Sequence, residues 1–142
     1  MQISLENFKT NNLRLSTNIL DFSETNEDTF ELNLQVGIAN SSVKETDSKK
    51  AVILFTLDLI AKDKFQLTCD YEAIFLTDTI LTKELVISEK FLNINAPAIA
   101  YPYLRAFVSN VLLVSNLDPA VLPTINFQKL YDNNLKRSDS EN

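Results

Sequence analysis

The chain has no histidine, one cysteine and one glycine among its 142 residues, and each scarcity removes a class of chemistry. Without histidine, the commonest general base and the commonest nitrogen ligand for metals are both missing, and a single thiol cannot assemble a thiolate site. Zinc binding and Cys/His catalysis are thereby excluded. Cys69 also lacks a partner for an internal disulfide, and its place in an alternating apolar pattern marks it as a small buried hydrophobe. Loops that cradle phosphate need several glycines so that backbone amides can approach the anion. Gly37 stands alone inside a strand-like run, which excludes nucleotide binding of the usual kinds. No proline precedes Pro97, so strands of about ten residues can run unbroken.

Positive charge is also in deficit. Against 19 Asp plus Glu there are 13 Lys plus Arg, for a net charge of -6 and a pI near 4.6. The resulting field repels phosphate backbones, so nucleic acid is not an expected partner. The opening residues, Met1-Gln2-Ile3-Ser4-Leu5-Glu6, lack the basic and apolar regions of a secretory signal, which predicts a cytoplasmic protein. The least charged stretch, Ile99 to Leu117, is about as long as a membrane span. It carries Pro102, Arg105, Asn110 and Asn116, each costly in lipid, so a buried or interface segment is expected and no membrane insertion. Asp70 and Glu72, two apart on one strand face, are the remaining candidates for acid–base work. No pocket or positioned polar partner accompanies them, so the chain reads as a non-enzyme with no metal or cofactor.

What is present is strand periodicity followed by helix periodicity. Over Thr29 to Ala39 the apolar set is Phe30, Leu32, Leu34, Val36 and Ile38, alternating with Glu31, Asn33 and Gln35. Over Ala51 to Ala61 it is Ile53, Phe55, Leu57 and Leu59, with Val52, Leu54 and Ile60 making the second face partly apolar, as in a central strand. Over Lys64 to Thr77 it is Phe65, Leu67, Cys69, Tyr71, Ala73 and Phe75, opposed by Gln66, Thr68, Asp70 and Glu72. A less regular strand is read over Asn12 to Asp21. Lys62-Asp63 is a tight hairpin connection and the polar run from Asn40 to Lys50 a long one, so the pairing is antiparallel.

From Pro102 to Asn116 the period changes: Leu104, Phe107, Val108, Val111 and Leu112 fall at helical spacing, with Pro102 in the first turn. Outside that stripe the only charge is Arg105, whereas a solvated helix face normally carries more. The second face should therefore be covered, and oligomerisation explains the cover most cheaply. A last helix starts with Asn126 as N-cap and buries Phe127, Leu130, Tyr131 and Leu135. Between Asp78 and Asn95 two readings stay open, a short helix capped by Thr82 or a strand extended through Leu85-Val86-Ile87. Residues 1–137 are read as one domain and 138–142 as a short disordered polar tail.

The segment Ala96 to Leu113, APAIAYPYLRAFVSNVLL, followed by Ile125 to Tyr131, INFQKLY, resembles the SecB family of protein-export chaperones. The family pattern opens its main helix with aromatic-Pro-Tyr-x-Arg, here Tyr101 to Arg105, and its last helix with apolar-Asn-Phe-x-x-Leu-aromatic, here Ile125 to Tyr131. The resemblance implies an α+β fold, a four-stranded antiparallel sheet with helices on one face. It further implies a homo-oligomer, a tetramer built as a dimer of dimers, and apolar grooves that hold unfolded polypeptide clients export-competent for the SecA motor. Carried over by position, Tyr103, Phe127, Leu130 and Tyr131 are the client-groove candidates, the first and last as wet groove walls and the middle two also fitting a plain core. Arg105, Val108, Val111 and Leu112 are candidates for the oligomer interface. Asp70 and Glu72 form the candidate acidic patch for motor docking, although Thr68 stands where a carboxylate would be expected. Members of the family also serve as dedicated chaperones of the antitoxin in a toxin–antitoxin pair, which is the alternative function.

Overall fold

A computed structural model describes residues 1–17, 30–40 and 49–140. Four strands, β1 (Ile3–Ser16), β2 (Phe30–Asn40), β3 (Lys50–Ala61) and β4 (Phe65–Thr77), form one antiparallel sheet in the order β1-β4-β3-β2. The period-two runs lie where their alternation predicts. In β3 and β4 every second side chain, from Ala51 to Ala61 and from Phe65 to Phe75, is buried on one face. The two strands join through a turn in which Lys64 N–H donates to Ala61 O at 3.0 Å and Asp63 takes φ 65°, a left-handed conformation that aspartate tolerates. The expected end of the first strand at Asp21, and most of the polar connection between Asn40 and Lys50, lie outside the described residues.

β1 differs from expectation. It begins at Ile3, well before Asn12, and its register against β4 shifts between Leu5 and Asn7 and again between Asn11 and Arg14. Each extra residue flips the alternation, and Asn12 at φ 53° marks the second irregularity. A bulged strand therefore does not read as period two even though it pairs along its length. Its start is fastened to the end of β4: Gln2 N–H donates to Asp78 Oδ1 at 3.0 Å, and Thr79 Oγ1 donates to the same oxygen at 2.9 Å.

The described helices pack on the inner sheet face. α1 (Lys83–Ser88) settles the ambiguous segment as helix, with Leu85 N–H donating to the Thr82 hydroxyl at 3.1 Å in a conventional N-cap. A π-helical stretch, Phe91–Asn95, feeds directly into α2 (Ala96–Val114). Pro97 supplies the early proline of α2, so Pro102 sits inside the helix and not in its first turn as its position suggested. Ala96, Ala100, Tyr101, Leu104, Val108 and Leu112 face the sheet and are buried in one core with Phe55, Leu57, Leu67 and Phe75. By length and composition Phe91–Val114 is apolar enough to cross a membrane, but this stripe is what seals the sheet. The chain then runs through Ala120 and Leu122, both buried, to α3 (Phe127–Ser140), which continues past the expected start of the polar tail.

Candidate peptide-binding groove

Phe127 fixes α3 to the core. Asn126 caps the helix through Oδ1, which accepts from Lys129 N–H at 3.0 Å. The Phe127 ring, 5% exposed, meets Tyr101 edge-on with centroids 5.6 Å apart, and the Tyr101 hydroxyl donates to Pro123 O. Burial raises the pKa of Tyr101, partly offset by the Arg105 guanidinium, so the phenol stays protonated and keeps that bond.

One helical turn beyond this anchor, α3 stands off the sheet. Leu130, Tyr131 and Leu135 form one wall of a cavity of about 230 Å³, Val36 and Ile38 of β2 its floor, and Val86 and Ile87 of α1 the other wall. Its polar lining consists of Asn93, Tyr131 and Asn134, and no charged side chain among the described residues borders it. Ile87 is 65% exposed and Leu130 37%, so apolar surface is held open to water by the elements around it, where an ordinary core would have closed over it. The Tyr131 hydroxyl donates to the carbonyls of Ile87 and Ser88 at 3.2 and 3.4 Å, bridging α3 and α1 across the cavity. Most of this lining is aliphatic or aromatic, and what it offers is a slot for apolar side chains.

Three of the four expected groove residues, Phe127, Leu130 and Tyr131, thus line one cavity, with Phe127 mostly core. Tyr103 is elsewhere. It lies on the opposite flank of α2, 51% exposed, with its ring 4.8 Å from Phe8 of β1. Phe8 in turn stacks on Tyr71, and Tyr71 on Phe107, at 5.4 Å each. The expected interface set is also divided. Val108 and Leu112 are 0% exposed and spend their whole surface on the protomer's own sheet, so they cannot form an interface. Val111 is half-buried against the same core. Arg105 borders a separate shallow crevice with Pro102, Ser109 and Val121. The uncovered side of α2 is instead Ile99, Tyr103, Leu113 and Val114, all exposed.

Asp70 and Glu72 lie on the outer sheet face. Asp70 accepts from Asn12 Nδ2 at 2.7 Å, and Glu72 is paired with Lys9 of β1 and Leu54 of β3. Arg14 beside Thr68 and the neighbouring Val52, Ile74 and Leu76 make this face mixed in character, not plainly acidic. Cys69 is buried as expected, and burial, helped by the charge of Asp70, pushes its thiol up to about 11.

Sequence reasoning missed Val36, Ile38, Ile87, Asn93 and Leu135 as groove residues. The two β2 residues read correctly as an inward face, but only the strand order places them at the sheet's edge, where nothing need cover them.

A family model for the preprotein translocase subunit SecB matches residues 3–138. The protein-export protein SecB of Roseobacter denitrificans is 30% identical over 114 residues, covering 76% of this chain and 67% of the relative. That of Dinoroseobacter shibae is 29% identical over 111 residues, covering 74% and 63%; the aligned part spans about two thirds of each relative. Among solved structures, the SecB-like chaperone of Mycobacterium tuberculosis, in complex with a peptide from an antitoxin, superimposes with a TM-score of 0.64 over 87% of both chains at 13% identity. A Streptococcus agalactiae protein of unknown function does so at 0.56 and 16% identity, over 87% of this chain and 98% of its own. The superpositions show that the fold is shared, and the family match runs from the start of β1 into α3: the chain belongs to the SecB family of protein-export chaperones.

Proposed function

We propose that this chain is a holdase that receives unfolded polypeptide clients in the groove between β2, α1 and α3 and keeps them competent for export by SecA. The observation that carries this is the uncharged cavity with Ile87 and Leu130 exposed on its walls, in a chain of a chaperone family. Each apolar client side chain that fills such a slot contributes roughly 1.5 to 3 kcal/mol. About four anchors give roughly 6 to 12 kcal/mol gross, most of it offset by association and chain ordering. One groove therefore binds weakly, and joining grooves raises affinity by roughly 10² to 10⁴.

That arithmetic calls for an oligomer. Two features support one: among the described residues β1 pairs only with β4 and leaves an edge on which Leu13 is exposed, and the outward side of α2 has Arg105 as its only charge among exposed Ile99, Tyr103, Leu113 and Val114. Pairing through the strand edge and the helix would give a homotetramer in two steps. The mixed outer sheet face with Asp70 and Glu72 is the proposed motor-docking surface, weakened by Lys9 and Arg14 next to it.

A second reading, a chaperone dedicated to one antitoxin, is favoured by the antitoxin peptide that the Mycobacterium tuberculosis chaperone of the same fold holds. Both readings place the protein in the cytoplasm and give it a binding task, not a catalytic one. Suppression of aggregation of several unrelated unfolded proteins, with mass in solution recorded in parallel, tests them. Broad suppression by an oligomer supports the general holdase, suppression of a single antitoxin supports the dedicated one, and a folded protein that suppresses nothing sinks both.

A further inference from the structure

A helix leaves its last carbonyls without partners inside it. α1 ends at Ser88 where the chain turns into the π-helical stretch, so the carbonyls of Val86, Ile87 and Ser88 need donors from outside. Asn93 provides them on one side: its Nδ2 donates to Val86 O at 2.8 Å, Glu89 O at 2.8 Å and Ile87 O at 3.3 Å. Tyr131 does so on the other side. Because all the partners of the Asn93 amide are carbonyl oxygens, its orientation is fixed; the flipped amide would set an acceptor against acceptors.

The consequence falls on Oδ1. With both N–H donors of Asn93 spent on α1, its oxygen keeps two lone pairs and receives no hydrogen bond from the described residues. Asn93 lines the groove, so a client segment that covers this wall either brings a donor to Oδ1 or strips water from an acceptor without replacing it. An acceptor left unpaired in this way weakens binding by roughly tenfold.

We infer that Asn93 Oδ1 accepts a hydrogen bond from the client at the anchor position, so that an apolar segment able to present an N–H donor there binds better than one that cannot, and a carboxylate side chain there, with only acceptors to offer, is disfavoured. This rests on the groove reading above. The donor has two sources, the indole N–H of tryptophan or the main-chain amide of an extended client, and one experiment separates them.

Three fluorescently labelled apolar peptides are compared by anisotropy: a parent with a central tryptophan, the same peptide with 1-methyltryptophan, and the parent with its main-chain amide methylated at that residue. Each is measured on the wild-type oligomer and on Asn93→Leu. The expected result is a drop of about tenfold for one of the two methylated peptides on the wild type, which identifies the source, and loss of that difference in Asn93→Leu. Using ratios within each protein removes any general loosening of α1 by the substitution. Equal binding of all three peptides to the wild type overturns the donor selectivity while leaving the groove intact. A difference that persists in Asn93→Leu assigns the donor to another partner and also overturns it. Failure of the parent peptide itself to bind removes the groove reading and this inference with it.

Discussion

Replacing Tyr131 with Ser removes one wall of the groove without entering the core, and its size follows from the structure. The ring is more buried than exposed in the free protein, so a client covers no more than about a third of it. At roughly 1.5 to 3 kcal/mol for burying a large side chain completely, the client loses about 0.5 to 1 kcal/mol when the ring is gone, or about two- to five-fold in affinity at one groove. A client that spans several joined grooves loses that factor at each, so suppression of aggregation should decline more steeply than binding of a short peptide. The bridging hydroxyl is lost as well, but its carbonyl partners are exposed to water and the cost to folding stays small. Tyr131→Phe, which keeps the ring, should retain peptide affinity within about two-fold. The assay is peptide anisotropy beside aggregation suppression, with sedimentation to confirm that both variants keep the parent's mass. Unchanged affinity in a Tyr131→Ser protein of unchanged mass would refute the reasoning, because no ring that a client covers in its groove can be dispensable.

Four further outcomes follow from the same geometry. Val108→Asp places an unpaired charge in a fully buried site and should abolish cooperative folding, read as loss of a thermal transition by circular dichroism, not merely lower the mass in solution. Ile99→Glu together with Tyr103→Glu should instead lower the mass in solution while keeping the far-ultraviolet spectrum and the thermal transition. The folded-state thiol of Cys69 is pushed from 9.0 up to about 11, so its contribution is complete below the unfolded value and lost as pH rises through this window. Denaturant stability should fall between pH 9 and 11 less steeply in Cys69→Ala than in the parent. Asp78 is held below the usual carboxylate range, first by the Gln2 N–H and then by the Thr79 hydroxyl. Its contribution is present above that range and lost as pH falls through the lower folded value, so in acid the Gln2 amide should exchange faster than amides in the middle of β1.

β3 and β4 were legible because each buries one face continuously, and β2 because its inward face is half-buried from Leu32 to Ile38 while the other face is wet; one-sided cover forces period two. β1 was not, because its bulges interrupt the period while leaving the pairing whole. The α2 stripe was legible as a stripe, but a stripe does not say what covers it: Val108 and Leu112 satisfy it against the sheet of the same protomer. The two tyrosines of the helix opening show the same limit. Residues two apart on a helix point about 200° away from each other, so Tyr101 joins Phe127 while Tyr103 joins Phe8, and the motif alone does not tell which one looks toward the groove. Phe127, Leu130 and Tyr131 came together because one short helix carries all three. Asn93 carried no signal, since its part depends on carbonyls exposed by a helix end that only the fold reveals.

The central claim is that clients lie between β2, α1 and α3, and site-specific photocrosslinking tests it most directly. A photoreactive side chain at Leu130 and, separately, at Thr56 on the outer sheet face would be illuminated with an unfolded client present. The account predicts a crosslinked client at Leu130 that a competing apolar peptide displaces, with none at Thr56. Client captured at Thr56 and absent at Leu130 would contradict it and move binding to the other face of the sheet.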